Sequence, residues 1–178
     1  MIIQTGGKNV SYTISNGQPQ GTATSFLNSI REALIGEIIA INGYASHIAN
    51  SNMEAINTVW RHIMQDEKDH YGMFMKLLHK YDPIQCQMYQ KHEYSTIPVC
   101  PLQEFKPEYD RQLILNNIRD DIKGELEAVI LYDQNIRVMP YNDIKIVFTT
   151  VIIQEKEHAE HLTRVLMRYD PDKYNELK

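Results

Sequence analysis

Long apolar stretches, cysteine and excess positive charge are all scarce in this 178-residue sequence. No uninterrupted apolar run approaches the roughly 20 residues that a membrane-spanning helix needs, so we expect no membrane span. The formal net charge of −5 argues against nucleic acid as a partner, because nucleic-acid-binding proteins present a basic surface. The first residues lack the basic segment and the long apolar stretch of a secretory signal, which predicts a cytoplasmic protein.

Only two cysteines are present, Cys86 and Cys100, and neither belongs to a Cys-x-x-Cys pair. A zinc ribbon or a rubredoxin module needs such pairs, so the sequence contains neither. The two cysteines could form a disulfide, but the expected cytosolic location favours two free thiols.

A pattern of carboxylate and imidazole residues occurs twice, with an offset of 88 positions. Each copy contains one glutamate and, on the following segment, a Glu-x-x-His pair: Glu37, Glu67 and His70 in the first copy, and Glu125, Glu155 and His158 in the second. The repeat extends to neighbouring residues, since Gly36, Ala40 and Tyr44 correspond to Gly124, Ala128 and Tyr132. A repeat of this length indicates duplication and predicts pseudo-two-fold symmetry.

Four amphipathic segments with apolar residues at helical spacing carry the repeat, at about 24–50, 53–81, 108–139 and 142–169. Short breaks at 51–52 and 140–141 predict that the helices they join are antiparallel neighbours. Residues 83–107 lack helical periodicity and are long enough to run the length of a helix. The predicted fold is all-α, an antiparallel four-helix bundle of the ferritin-like kind with a long crossover between helices 2 and 3.

The domain organisation we predict is an N-terminal extension followed by one bundle. Residues 1–21 are rich in Gly, Asn, Gln, Ser and Thr and are expected to lie outside the bundle. The bundle takes residues 22–178, with hairpin repeats at about 24–83 and 112–171. Because the extension and the crossover offer surfaces outside the bundle, we expect a homo-oligomer, for which a dimer is one form.

The six repeated residues each replace an apolar residue on a buried stripe. Glu37, for example, lies between Leu34 and Ile41. Burying an unpaired carboxylate is costly, and the sequence offers no matching set of inward lysines or arginines. Two divalent cations would neutralise four carboxylates, and a mixture of oxygen and imidazole ligands suits iron or manganese. We therefore predict a dinuclear centre of two Fe ions, with Mn as the alternative, held by Glu37, Glu67, His70, Glu125, Glu155 and His158.

A structural interpretation competes with the metal centre. A duplicated bundle could have lost metal binding and use the cluster as a protonated hydrogen-bond network. Other acidic residues, Glu32 among them, fall on polar faces and are expected to be solvated.

Three further side chains are predicted to support the ligands. Tyr44 and Tyr132 each lie two helical turns beyond the glutamate of their own repeat, from where a phenol could hydrogen-bond to a ligand carboxylate. Ordinary core packing is the alternative for both. Asp121 lies on the inward face of the third segment and could orient His70 or His158 by accepting its second N–H.

The duplicated pattern resembles the rubrerythrin branch of the ferritin-like superfamily, in which a glutamate is followed seven residues later by tyrosine and then by Glu-x-x-His on the next helix. The resemblance covers most of the chain between residues 24 and 169. It implies that Glu67 and Glu155 bridge the two metals, that Glu37 and Glu125 are terminal ligands, and that each histidine caps one metal. It also implies reaction with dioxygen or hydrogen peroxide through diferrous and diferric states, with electrons from an unidentified donor.

Two features depart from the rubrerythrin pattern. The rubredoxin-like electron-transfer module is missing, and Ala128 stands where rubrerythrins carry an extra glutamate. The remaining set of four glutamates and two histidines is shared with bacterioferritins and dimanganese catalases. The predicted function is a di-iron oxidoreductase with no catalytic residues beyond the ligands. The alternatives are an iron-binding ferroxidase or storage protein and a dimanganese catalase.

Overall fold

The computed structural model describes residues 25–91, 107, 109–171 and 174. Its elements are the helices α1 (Phe26–Ala49), α2 (Glu54–Tyr81), α3 (Pro83–Lys91), α4 (Arg111–Val138) and α5 (Asn142–Tyr169). Within the described residues there is no strand, so the predicted all-α fold is confirmed. The predicted N-terminal extension lies outside them, as does the crossover between residues 92 and 106.

Side-chain caps begin two of the bundle helices at positions close to those predicted. Ser25 accepts a hydrogen bond from the backbone N–H of Asn28 at 3.3 Å, and Asp110 accepts one from that of Leu113 at 2.7 Å. Each cap satisfies a backbone donor that has no partner inside the helix. Pro140 follows the end of α4 and cannot continue its hydrogen-bond ladder.

The crossover contains a short helix that the sequence analysis did not predict. Asp82 ends α2 and also accepts a hydrogen bond from the backbone N–H of Gln85 at 3.0 Å, which caps the start of α3. Pro83 occupies the first helical position, where its missing N–H is not needed. Since α3 has no buried residue, apolar periodicity could not reveal it.

All neighbouring helices of the bundle run antiparallel. Glu37 contacts Tyr132 and His47 contacts Asp121, so residue numbers rise along α1 as they fall along α4. Short connections make the helices of each hairpin antiparallel, so α2 and α4 run in the same direction. The chain between them must therefore travel the length of the bundle, about 42 Å for the 28 residues of α2. The predicted crossover between helices 2 and 3 of the bundle corresponds to this connection.

An equivalent ion pair joins the two helices of each hairpin at the end away from their connecting turn. Arg31 of α1 pairs with Asp82 at the end of α2, and Arg119 of α4 pairs with Asp170 at the end of α5. The two arginines and the two aspartates are both related by the 88-residue repeat. The duplication therefore extends from the sequence to the tertiary contacts.

The apolar core consists of two clusters, one on each side of a polar layer. In one cluster, Phe74 and Tyr132 lie 4.9 and 5.5 Å from Phe148 between ring centroids. The other cluster contains Trp60 and Tyr44. The repeat relates Tyr44 to Tyr132 and Trp60 to Phe148, so the pseudo-two-fold axis crosses the bundle and exchanges its ends. None of the described helices is long and apolar enough to span a membrane.

Candidate metal centre

The six predicted ligands form the polar layer between the two apolar clusters. Each of the four bundle helices contributes to the layer: α1 and α4 each bring one glutamate, and α2 and α5 each bring a Glu-x-x-His pair. Helical geometry places residues three apart on one face, which aims both members of a pair inward. None of the six is more than 5% exposed: Glu37, Glu67, His70, Glu125, Glu155 and His158.

The layer divides into two groups of four residues, and the potential ligand atoms of each group lie within 4.8 Å of one another. Two glutamates, Glu67 and Glu155, belong to both groups. Glu37 and His70 complete one group, and the repeat-related residues complete the other. The geometry thus contains two adjacent positions for cations, with two carboxylates shared between them.

Both imidazoles turn the same nitrogen towards the carboxylates. The Nδ1 atom of His70 lies 3.3 Å from Glu67 and 3.4 Å from Glu155. The Nδ1 atom of His158 lies 3.1 Å and 3.3 Å from the same two glutamates. The rings are stacked, with their centroids 5.9 Å apart. Nδ1 is therefore the atom that each histidine could offer to a metal.

Several atoms at the centre of the layer are buried without forming a hydrogen bond. They are Glu37 Oε2, Glu67 Oε1, Glu155 Oε2 and His158 Nδ1. Buried polar atoms are nearly always satisfied, so this concentration of unsatisfied ones needs a physical cause. A cation bound between these atoms would satisfy them. The donor set of four carboxylates and two imidazoles fits iron or manganese.

The protonation behaviour of the metal-free layer shows the same need for positive charge. Burial raises the pKa of Glu37 and of Glu125 well above the usual carboxyl range. Burial acts in the same direction on Glu67, but the adjacent imidazoles of His158 and His70 outweigh it and lower its pKa. Burial alone would lower the pKa of each histidine, whereas the surrounding glutamates raise it. Protons thus supply charge compensation that bound cations could replace.

Both predicted tyrosines touch a glutamate of the layer, and each touches the glutamate that the helix of the other repeat contributes. Tyr132 donates its hydroxyl proton to Glu37 Oε1 at 2.6 Å, and Tyr44 donates to Glu125 Oε1. Burial raises the pKa of both phenols, so they remain protonated donors. The antiparallel arrangement of α1 and α4 explains the exchange, because residues beyond the ligand on one helix face residues before the ligand on the other.

The role predicted for Asp121 is wrong. Its carboxylate accepts the indole N–H of Trp60 at 2.8 Å and lies 3.1 Å from Nδ1 of His47, and neither contact involves His70 or His158. Comparison of the two repeats explains why Asp121 is present in only one of them. The counterpart of Trp60 is Phe148, which has no N–H that needs an acceptor. Ala33 accordingly occupies the position equivalent to Asp121. Asp121 thus satisfies a buried donor of the core.

The residues that contact the outer nitrogens of the two histidines were missed by the sequence analysis. Nε2 of His158 lies 3.2 Å from Asp66 Oδ2, and Nε2 of His70 lies 3.2 Å from Gln154 Oε1. Both partners directly precede the glutamate of a Glu-x-x-His pair, and the repeat relates them to each other. The sequence signal that could have identified them is their equivalent position in the repeat. They were missed because their side chains differ and neither lies on the apolar stripe.

Two other expectations concern residues outside the layer. Glu32 was predicted to be solvated, but only 5% of it is exposed, and burial raises its pKa. Position on a helical face shows where a side chain leaves its own helix but not what covers it. Cys86 is a free cysteine in α3, whereas Cys100 lies outside the described residues.

A cleft of about 680 Å³ between α1 and α4 leads to the layer. Its lining includes Glu37 and Glu125 together with small residues of both helices, among them Gly36, Gly43 and Gly124. A Cβ atom added at Gly43 or Gly124 would meet no atom within 4 Å, which shows that open space lies beside these glycines. The cleft therefore gives small molecules and ions a route to the carboxylates.

Comparison with known proteins locates one curated relative. No protein-family model matches the sequence. A 64-residue stretch is 36% identical to the encapsulin nanocompartment cargo protein EncC of Myxococcus xanthus, covering 36% of this chain and 49% of that protein. The match therefore spans about half the length of the curated relative.

Two solved structures share the architecture. A hypothetical protein of Pyrococcus furiosus superimposes with a TM-score of 0.63 at 21% identity, over 84% of this chain and 94% of that one. A two-domain protein of Anabaena variabilis, with a DJ-1/ThiJ/PfpI-like and a ferritin-like domain, superimposes with a TM-score of 0.66 at 8% identity, over 86% of this chain and 42% of that one. The fold is ferritin-like. The six buried ligand-type residues lie in one layer of this bundle, to which α1, α2, α4 and α5 all contribute.

Proposed function

We propose that this protein is a di-iron carboxylate oxidoreductase of the rubrerythrin type that reacts with peroxide or dioxygen. The observation that carries the proposal is the pair of four-residue groups that share Glu67 and Glu155. A single Glu-x-x-His pair is common on solvated helices. Two pairs that share a layer with two more buried glutamates, and leave central atoms without hydrogen bonds, favour two adjacent cations.

The proposed roles of the ligands follow from their positions in the two groups. Glu67 and Glu155 would bridge the metals, since each has potential ligand atoms in both groups. Glu37 and Glu125 would each bind one metal, and each histidine would bind through Nδ1. Bound iron would supply the redox chemistry, passing electrons from an unidentified donor to peroxide or dioxygen.

The rest of the layer would hold the ligands in place and limit contact with water. Tyr132 and Tyr44 hydrogen-bond to the terminal carboxylates and fix their orientation. The apolar clusters close the layer along the bundle axis, with Phe74 and Phe148 on one side and Trp60 on the other. Access from the side is left to the cleft between α1 and α4, which suits a substrate as small as peroxide.

The proposal is tested first by metal content. Protein purified without chelator, or reconstituted anaerobically with Fe(II), is expected to hold about two irons per chain by elemental analysis. The Glu67→Ala/Glu155→Ala variant is expected to lose them, because both shared ligands are gone. Glu157→Ala is the matched control, since Glu157 is exposed on α5 and should leave the metal content unchanged. A folded wild-type protein that binds neither Fe(II) nor Mn(II) would contradict the proposal.

Reaction with peroxide separates the redox functions. Addition of one equivalent of hydrogen peroxide to the reduced protein is expected to oxidise its two irons, and with peroxide in excess a supplied reductant should be consumed continuously. A role in removing peroxide during oxidative stress would follow from such turnover. Evolution of oxygen without a reductant, with manganese bound, would identify a dimanganese catalase. Oxidation of many iron equivalents per chain with retention of the product would identify a storage protein.

A second candidate function is suggested by the similarity to EncC, which is described as an encapsulin nanocompartment cargo protein. On this proposal the chain is itself the cargo of an encapsulin shell, and it binds and oxidises iron inside that shell. Co-expression with the Myxococcus xanthus shell protein, followed by size-exclusion chromatography, is expected to place the chain in the shell fraction. Elution of the chain as a separate small homo-oligomer would count against the cargo function but not against the metal centre.

A further inference from the structure

The outer nitrogens of the two histidines contact different chemical groups at equivalent positions. His158 faces the carboxylate of Asp66, and His70 faces the amide of Gln154, both at 3.2 Å. The repeat relates the two partners to each other, and both contacts cross the interface between α2 and α5. The pseudo-two-fold symmetry of the ligands is therefore broken in the residues that hold them.

Each contact is compatible with a histidine that binds a metal through Nδ1. With Nδ1 bound to a metal, the ring proton of the neutral imidazole is on Nε2, and both Asp66 Oδ2 and Gln154 Oε1 can accept it. The acceptors differ in charge. A carboxylate accepts a charge-assisted hydrogen bond, which makes the imidazole a stronger electron donor than a neutral amide does.

We propose that Asp66 and Gln154 are positioning residues that make the two metal positions unequal, with the position at His158 binding its cation more tightly. The inference rests on the dinuclear centre proposed above. Asp66 is partly exposed, with 22% of its side chain accessible, and its carboxylate also lies 3.6 Å from Nε2 of His62. Because the carboxylate of Asp66 makes His158 the stronger electron donor, the metal position at His158 should fill first and lose its metal last.

The test uses the metal-free full-length protein, titrated anaerobically with Co(II) as a spectroscopic probe against a competing chelator. Wild type is expected to show two successive dissociation constants. The tighter one should disappear in His158→Ala and the weaker one in His70→Ala, which assigns each constant to a position. Circular dichroism establishes that every variant is folded.

Two isosteric variants then test the cause. Asp66→Asn is expected to weaken the tighter position about tenfold and leave the other unchanged, so that the two constants converge. Gln154→Glu is expected to tighten the weaker position. Asp69→Asn is the matched control, because it removes the same charge from another position on α2. Asp69 is exposed and accepts a hydrogen bond from Gln65.

The outcomes distinguish the inference from the proposed centre. Failure of wild type to bind two Co(II) ions would overturn the dinuclear centre and the inference with it. Two equal constants in wild type, or equal weakening of both positions by Asp66→Asn and Asp69→Asn, would overturn the inference alone. Convergence in Asp66→Asn, absent from Asp69→Asn, would establish Asp66 as the source of the inequality.

Discussion

The hydroxyl groups of Tyr44 and Tyr132 donate hydrogen bonds to two carboxylates of the polar layer. Tyr132 reaches Glu37 from α4, and Tyr44 reaches Glu125 from α1. Each phenol thereby links the two helices that border the cleft. The orientation of Glu37 and Glu125 therefore depends on these two contacts.

Replacement of Tyr132 by phenylalanine tests this dependence. Glu37 Oε1 would lose its donor while remaining buried, so Tyr132→Phe should lower the free energy of unfolding of the metal-free protein by about 1–3 kcal/mol. Metal affinity should fall by about tenfold, as is typical for loss of a residue that orients a ligand. Denaturant unfolding and chelator competition measure the two effects. Tyr89→Phe, on the exposed surface of α3, should change neither.

Asp121 is expected to stabilise the core without affecting metal binding. Asp121→Ala leaves the indole N–H of Trp60 without its acceptor, which should lower the free energy of unfolding by about 1–3 kcal/mol. Asp121→Asn keeps an acceptor oxygen and should recover part of the loss. Metal content should stay at the wild-type value in both variants. Unchanged stability of Asp121→Ala would contradict the structural role of this contact.

Small residues line both sides of the interface between α1 and α4 beside the polar layer. Gly36 and Ala40 of α1 and their repeat counterparts Gly124 and Ala128 of α4 all line the cleft. The other helix pairs bury large apolar side chains against each other. At the scale of elements, this one interface combines ligand positioning with access, because its residues are too small to close it.

Filling the cleft should slow the entry of metal without removing the site. Gly124→Leu places a side chain in open space, and the exchange of glycine for leucine inside a helix should stabilise α4 by about 0.5–1 kcal/mol. Fe(II) uptake, followed by stopped-flow absorbance, should slow by about an order of magnitude or more, and the final stoichiometry should not change. Gly72→Leu is the control, since Gly72 also has open space around it but does not line the cleft. Equal uptake rates in both variants would show that metal enters elsewhere.

The described part of the bundle contains a polar layer between two apolar clusters, and its stability depends on how that layer is neutralised. Without metal, protons on buried groups must compensate the carboxylates. With metal, the cations bind the folded state and stabilise it by mass action. Global stability and metal occupancy should therefore be linked.

Removal of metal should lower the melting temperature of the whole bundle. At a metal concentration a thousand times the dissociation constant, binding to the native state contributes about 4 kcal/mol, and a chelator should remove it. Differential scanning calorimetry with and without chelator measures the shift. The Glu67→Ala/Glu155→Ala variant should show no shift. An equal shift in wild type and variant would place the stabilising metal outside the layer.

Local spacing in the sequence was enough to predict the four bundle helices and the candidate ligands, but not the short helix α3. Helical periodicity gave the bounds of α1, α2, α4 and α5 to within a few residues, and the 88-residue repeat singled out the same six residues that the structure brings into one layer. The tertiary structure alone decided which residues touch across the bundle. Asp121 turns to Trp60, and Asp66 and Gln154 face the histidines, at separations of 61 to 92 residues along the chain. Such contacts depend on how the helices are rotated and paired, which spacing within one helix does not specify.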